Sequence, residues 1–281
     1  MRNQPVKSHA RRTVLLLGAG LPFFRLSRAT EDSPVTLDQL AGEYTAGSSL
    51  KARLIVRADG RFDWKTDYVM TGSDMVGRVS ASGRLVPDGG AFAAHLDSTA
   101  VAYPPGLFPP RLHAVRTSKF IVLLGDETVN GIINAINGRG WRTGDVSGML
   151  HRLLPGATDG DAKNIDRALL IPKTFSNRIL AAPLRGKVLG VEEVSAGKIN
   201  VAQPMMPPVL RMSHASRLTV DLGSRQGVFE DMTLYVAGES RRRMGTVKRV
   251  MADRCEIDFE WYEEDPPPQV GDSVFSSERD S

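Results

Sequence analysis

Cysteine is nearly absent. Cys255 stands alone, so no disulfide can form within the chain. It sits in Asp253-Arg-Cys-Glu-Ile-Asp-Phe259, where Cys255, Ile257 and Phe259 alternate onto one face. That is the pattern of a small buried hydrophobe; a nucleophile would need a histidine signature nearby, and there is none. Aromatics make up only 6% of the chain, so its cores must rest on Val, Leu, Ile, Ala and Met. Residues 1–29 hold no Asp or Glu but carry Arg2, Lys7, Arg11, Arg12, Arg25 and Arg28. The formal charge of +4 therefore belongs to this leader, and setting its six charges aside leaves the remainder at −2. A net-basic surface for nucleic acid is not supported. His95, His113 and His151 are isolated, without ligand spacing, so no metal site is expected. No paired catalytic residues are legible. The sequence reads as a non-enzyme without a cofactor.

The first 29 residues have the form of an export signal. A basic n-region precedes Thr13–Phe24, an apolar run too short to span a bilayer comfortably. Ser27-Arg-Ala29 then offers small residues where a signal peptidase reads, predicting cleavage after Ala29. Arg11-Arg12-Thr-Val-Leu15 resembles a twin-arginine signal, although Ala10 stands where a polar residue is usual. No cysteine follows the apolar run, which excludes a lipoprotein anchor. The expected location is periplasmic or secreted, with no transmembrane span after signal removal.

The remainder, at 41% hydrophobic overall, suits two small domains. The fold expected is mainly β: an antiparallel barrel or sandwich with one short helix over 34–150, a linker over 151–183, and a small β-barrel over 184–278. In the first domain Ala52, Leu54 and Val56 share one strand face, and Phe62 and Trp64 share another after Ala58-Asp-Gly60. A three-residue loop with Gly60 left-handed places Phe62 opposite Val56 and Trp64 opposite Leu54, which puts every apolar residue on one side. Further strands are predicted near 74–85, 90–96 and 111–116, with a buried strand at Phe120–Leu124. Val129, Ile132, Ile133 and Ile136 recur at helical spacing, so a helix is predicted over 127–137, capped by Asp126 and stopped by Asn137-Gly138. Trp64 and Trp141 read as core residues before ligand platforms. Leu40-Ala-Gly-Glu-Tyr44, a strand, then Asp59-Gly-Arg-Phe62 and a second strand resembles the start of lipocalin-like barrels of bacterial envelope proteins, over about residues 37–124. That resemblance implies a barrel able to hold a small apolar ligand.

Asp159, Asp161, Asn164 and Asp166 are close in sequence but lack the central Gly and terminal Glu of a calcium loop, so a solvated loop feeding a short helical turn is expected. Residues 171–183 read as an extended linker. In the second domain strands are predicted at 185–191, 198–202, 216–222, 232–237, 244–250, 254–261 and 273–275, with Gln203–Pro208 as a rigid loop. Val220-Asp-Leu-Gly-Ser224 is no protease site: Leu222 stands where a hydroxyl is required, and no second copy exists to form an acid pair. Met205, Met206, Met212 and His214 read as loop and core before a copper site. Thr219-Val-Asp-Leu-Gly-Ser-Arg-Gln-Gly-Val228, Asp231-Met-Thr-Leu-Tyr-Val236, Gly245-Thr-Val247 and Gln269-Val-Gly-Asp-Ser-Val274 together resemble a small envelope β-barrel module of rod-shape scaffold and flagellar accessory proteins. Glu230-Asp231 departs from it where a Gly is usual. The resemblance implies turns and contacts with a protein partner in the envelope, and no active site. Arg241, Arg242 and Arg243 at a hairpin tip are a candidate partner contact, opposite in sign to Glu263-Glu-Asp265.

Overall fold

A computed structural model describes residues 35–47, 51–69, 76–97, 108–146, 148–203, 206–237 and 243–278. The leader expected over 1–29, and Arg241 and Arg242, lie outside them. Elements follow in chain order: α1 (Leu37–Leu40), β1 (Gly42–Ala46), β2 (Ala52–Val56), β3 (Arg61–Val69), β4 (Val76–Asp88), β5 (Ala91–Leu96), β6 (Arg111–Arg116), β7 (Phe120–Gly125), α2 (Asp126–Arg139), β8 (Thr143–Gly144), β9 (Leu150–Leu153), β10 (Ile165–Asp166), β11 (Arg185–Gln203), β12 (Met206–Val220), β13 (Thr233–Val236), β14 (Arg243–Val250), β15 (Cys255–Tyr262) and β16 (Ser273–Phe275).

Strands β1 to β7 and β9 close an antiparallel barrel, and β11, β12, β15, β14, β13 and β16 close a second. The β2–β3 register has Val56 facing Phe62 and Leu54 facing Trp64, as the alternation predicts. Gly60 sets it with φ +83, and a Cβ there would meet the Leu85 carbonyl oxygen at 2.7 Å, so glycine is required twice over. Tyr44, Leu54, Phe62, Trp64, Leu85, Phe92 and Ile121 fill the interior. Phe108 enters from the β5–β6 connection, stacks on Phe62 at 4.8 Å and meets Trp64 edge-on at 5.3 Å. At one end α1 is pinned by a Thr36–Gln39 capping box, and Arg152 donates to the carbonyls of Gln39 and Ala41.

The apolar run of β7 is buried throughout because both its faces are covered. Ile121 and Leu123 join the first barrel's core, whereas Phe120, Val122 and Leu124 join a second cluster with Val129, Ile132, Ile133 and Ile136 of α2 and the interior of the second barrel. The expected helix is present but shifted at both ends. Gly125 occupies the N-cap without a side-chain bond, and Asp126 instead meets the buried His113 at 2.6 Å. The helix runs past Asn137-Gly138 and stops at Gly140, φ +67. Gly138 is needed for another reason: a Cβ there would lie 2.8 Å from the Tyr235 hydroxyl oxygen of the second barrel.

The barrels are joined by more than apolar packing. Asn134 donates to the Asp231 carbonyl at 2.9 Å and accepts from the Thr233 amide at 3.1 Å. Asn137 donates to the Arg178 carbonyl and accepts from the Leu180 amide, and Arg139 pairs with Glu278 at 3.0 Å. The segment expected as an extended linker is therefore different: it holds short 3-10 turns, with Leu170 and Ile171 buried and Phe175, Ile179 and Leu180 packed on the shared core. The first barrel also closes later than the expected boundary at 150, on β9.

In the second barrel, the two strands expected at 185–191 and 198–202 form one, β11, paired with β12 from Val188–Val220 to Gln203–Met206. The rigid loop expected at 203–208 shrinks accordingly, since β12 begins at Met206 and contains Pro207 and Pro208. β15 reaches β12 only from Ser213 onward, so a two-stranded ribbon extends beyond the barrel. Its bulges near Leu189, Val194 and Ala202 break the alternation a sequence reading depends on. The glycine turn is a fold device. Gly227 has φ +95, and Asp221 accepts from the Lys187 amide at 2.5 Å. Asp231 adopts φ +65, a left-handed conformation uncommon outside glycine.

Candidate functional site

A recess of about 950 Å³ lies along the wall of the first barrel, toward the end away from α1. Six parts of the chain build it. The end of β1 gives Thr45, Ala46 and Gly47, and the start of β2 gives Lys51, Ala52 and Arg53. β3 contributes Lys65, Thr66 and Asp67, β4 Ser80, and β9 His151. The 3-10 turn after β9 adds Asp159, Ala162 and Lys163.

Local structure fixes these groups. Thr66 is buried, and its hydroxyl donates to the Asp67 carbonyl at 3.2 Å. His151 stands opposite Thr45 in the β1–β9 ladder, with Nδ1 3.0 Å from the Met149 carbonyl oxygen. A carbonyl can only accept, so Nδ1 carries the hydrogen and Nε2 is the acceptor of the neutral ring. Arg53 is held by Glu43 at 2.6 and 2.7 Å, which lowers the glutamate's pKa through hydrogen bonding and charge and raises that of the arginine. Below the recess the barrel is filled. Tyr44, whose hydroxyl donates to the Leu40 carbonyl at 2.8 Å, is pushed up to about 12 by burial, against the opposing pull of Arg152.

The acidic segment 159–166 is engaged locally, as a loop feeding a helical turn. Asp161 accepts from the Thr158 amide and hydroxyl, which hold its carboxyl below the ordinary range, and Asp166 accepts from the Ala168 amide. Among the described residues no group of three His, Cys, Asp or Glu side chains could hold a metal ion. His214 stacks on Trp261 at 4.1 Å and lies 3.1 Å from Glu193. Met205 lies outside the described residues.

The arginine run at 241–243 divides. Arg243 is buried, donates to the Pro266 carbonyl and lies 5.2 Å over the Phe259 ring. It is thus used within the chain, where it ties its hairpin to the acidic proline loop. Cys255 is buried in the second core, and its thiol is pushed up to about 12 by burial, then by Asp221 and Glu256. Trp64 is core, as expected. Trp141 is not: it is 49% exposed, with the Arg139 guanidinium 4.6 Å from its ring centre. Two things escaped the sequence reading. The recess draws on residues 45 to 163, with no local signature. The asparagines 130, 134 and 137 could have been found, because they fall at i, i+4 and i+7 beside the apolar stripe of α2.

Fold and recess together define a class: a mainly β protein of two fused antiparallel barrels with a recess on the wall of the first. No protein-family model matches the chain, and no curated protein is similar to it. No helix of the described residues is long and apolar enough to cross a membrane.

Proposed function

We propose that the chain is an exported, non-enzymatic binding protein of the bacterial envelope, lipocalin-like in its first barrel, with the recess on that barrel as its working surface. The supporting observation is the recess: about 950 Å³ lined by small, hydroxyl-bearing and charged side chains on a barrel whose interior is packed. The leader supports export, and the turn module resembles those of envelope proteins. The test is fractionation of cells expressing the full chain, with intact-mass measurement. The expected result is a periplasmic or secreted protein beginning after Ala29. Full-length chain in the cytoplasm would overturn the location.

A second reading, contact with a protein partner through the second barrel, is favoured by the free edge of β11. Leu189 and Val194 are 52% and 53% exposed on that strand, and β11 pairs with β16 only at Arg185–Lys187, leaving most of one edge without a neighbouring strand among the described residues. Loss of a co-purifying envelope protein in Val194→Asp, with retention in wild type, is the expected outcome for that reading.

A further inference from the structure

We infer that the free edge of β11 takes an extended, basic segment of a protein partner, added to the second barrel as a strand. This rests on the reading of β11 as a partner contact and names the partner's chemistry. Four observations carry it. First, the seat is bounded. The turn before β16 closes off Val188, whose amide donates to the Asp272 carbonyl at 2.9 Å and whose carbonyl accepts from the Gly271 amide at 2.8 Å. From Leu189 onward β11 has β12 on one side and no strand on the other among the described residues. Such an edge presents main-chain donors and acceptors that an incoming strand satisfies. Second, apolar side chains stand exposed along it. Leu189, Val191 and Val194 are 52%, 40% and 53% exposed, and Val270 in the closing turn is 67% exposed. Third, the charge is of one sign. Between Lys187 and Lys198 the sequence holds Glu192 and Glu193 and no base. Both glutamates are exposed. Arg217 stands opposite Glu192 in the ladder but pairs with Asp258 at 3.6 Å, and Glu193 lies 3.1 Å from His214 Nδ1. Basic side chains on the guest complement this pair. Fourth, bulges interrupt the register at Leu189 and Val194. A bulged strand bends and twists, which discourages flat pairing between two rigid sheets, as in two copies of this chain; a flexible segment follows the bend.

The test adds synthetic peptides of about nine residues, enough to run along Leu189–Gly197 at a strand's rise, to the full chain. One alternates lysine with valine, and one alternates glutamate with valine. The third is the lysine peptide with its backbone nitrogens methylated, which keeps the side chains and charge but cannot donate to a ladder. Affinity is read by titration calorimetry, and seating by amide hydrogen exchange over β11. The lysine peptide should bind at least about tenfold more tightly than the glutamate peptide and slow exchange between Leu189 and Gly197, and the methylated peptide should not bind. Glu192→Lys should weaken the lysine peptide about fivefold, the scale of one exposed charge contact. Equal binding of all three peptides, or binding that leaves β11 exchange unchanged, would overturn strand addition at this edge. A wild-type dimer in sedimentation, lost in Val194→Asp, would make a second copy the occupant and overturn the basic partner. If no peptide binds but Val194→Asp loses a co-purifying protein that wild type retains, the extended segment is overturned and the contact surface stands; if neither occurs, both fall. Unchanged circular dichroism and melting temperature show that each variant is folded, and the methylated peptide reads the same property in the wild-type chain.

Discussion

The two barrels are built from the same kind of strand and end differently. The first has eight strands, a plug at one end and a polar recess along its wall. The second has six, a filled interior, and a ribbon that runs past its own wall. The first presents a concavity and the second an edge. Their difference follows from what covers each strand. β7 is apolar on both faces because the first barrel lies on one side and the α2 cluster on the other. Past Lys187 β11 has only β12 beside it among the described residues, and its residues are exposed from Val191 to Gly197.

The comparison can be broken most severely at Phe108. Phe108→Ala should cost about 4 kcal/mol, in the range of buried aromatic truncations, as read by chemical denaturation. It should also hollow the barrel, so that the neutral probe N-phenyl-1-naphthylamine binds the variant and not the wild type. Next is the joint. Ile133→Ala removes a fully buried side chain from the core the barrels share and should cost about 3 kcal/mol. If α2 couples the two barrels, wild type unfolds in one transition by intrinsic fluorescence and circular dichroism, and the variant separates the two probes. Asn134→Ala removes two hydrogen bonds to the second barrel and leaves the Thr233 amide without its partner, for about 1–2 kcal/mol.

A smaller effect distinguishes the barrels by pH. A buried neutral acid in each, Tyr44 in the first and Cys255 in the second, is pushed up to about 12. Their stabilising contributions are complete below the unfolded-state values of 10.0 and 9.0 and are lost as pH rises toward the folded values. Thermal melts of wild type should therefore weaken from about pH 9 upward, and in Cys255→Ala the decline should begin nearer pH 10. Native Cys255 should resist iodoacetamide at pH 8, a value well below its titration. The smallest effect is at Arg53. It and Glu43 are exposed, so Arg53→Gln should leave the melting temperature unchanged within error.

Sequence reasoning succeeded where a residue's neighbours lie close along the chain. The Gly60 hairpin was legible because alternation on both strands and a left-handed turn residue agree on one register. The helix was legible because Val129, Ile132, Ile133 and Ile136 repeat at its period, although its ends depended on His113 and Tyr235, which come from elsewhere. The merging of two short strands into β11 was not legible, since the strand is exposed from Val191 to Gly197 and its bulges interrupt the period. Trp141 was misplaced because an exposed tryptophan beside arginines has the same composition as a buried one. The recess was out of reach because its lining comes from six separate stretches.

The measurement that bears most directly on the recess as the working surface is native mass spectrometry of the chain purified from the envelope fraction, as wild type, Thr45→Trp and Val194→Asp. A small-molecule adduct retained by wild type and Val194→Asp and absent from Thr45→Trp is the predicted result. An adduct that survives Thr45→Trp, or no adduct on any of the three, would contradict it.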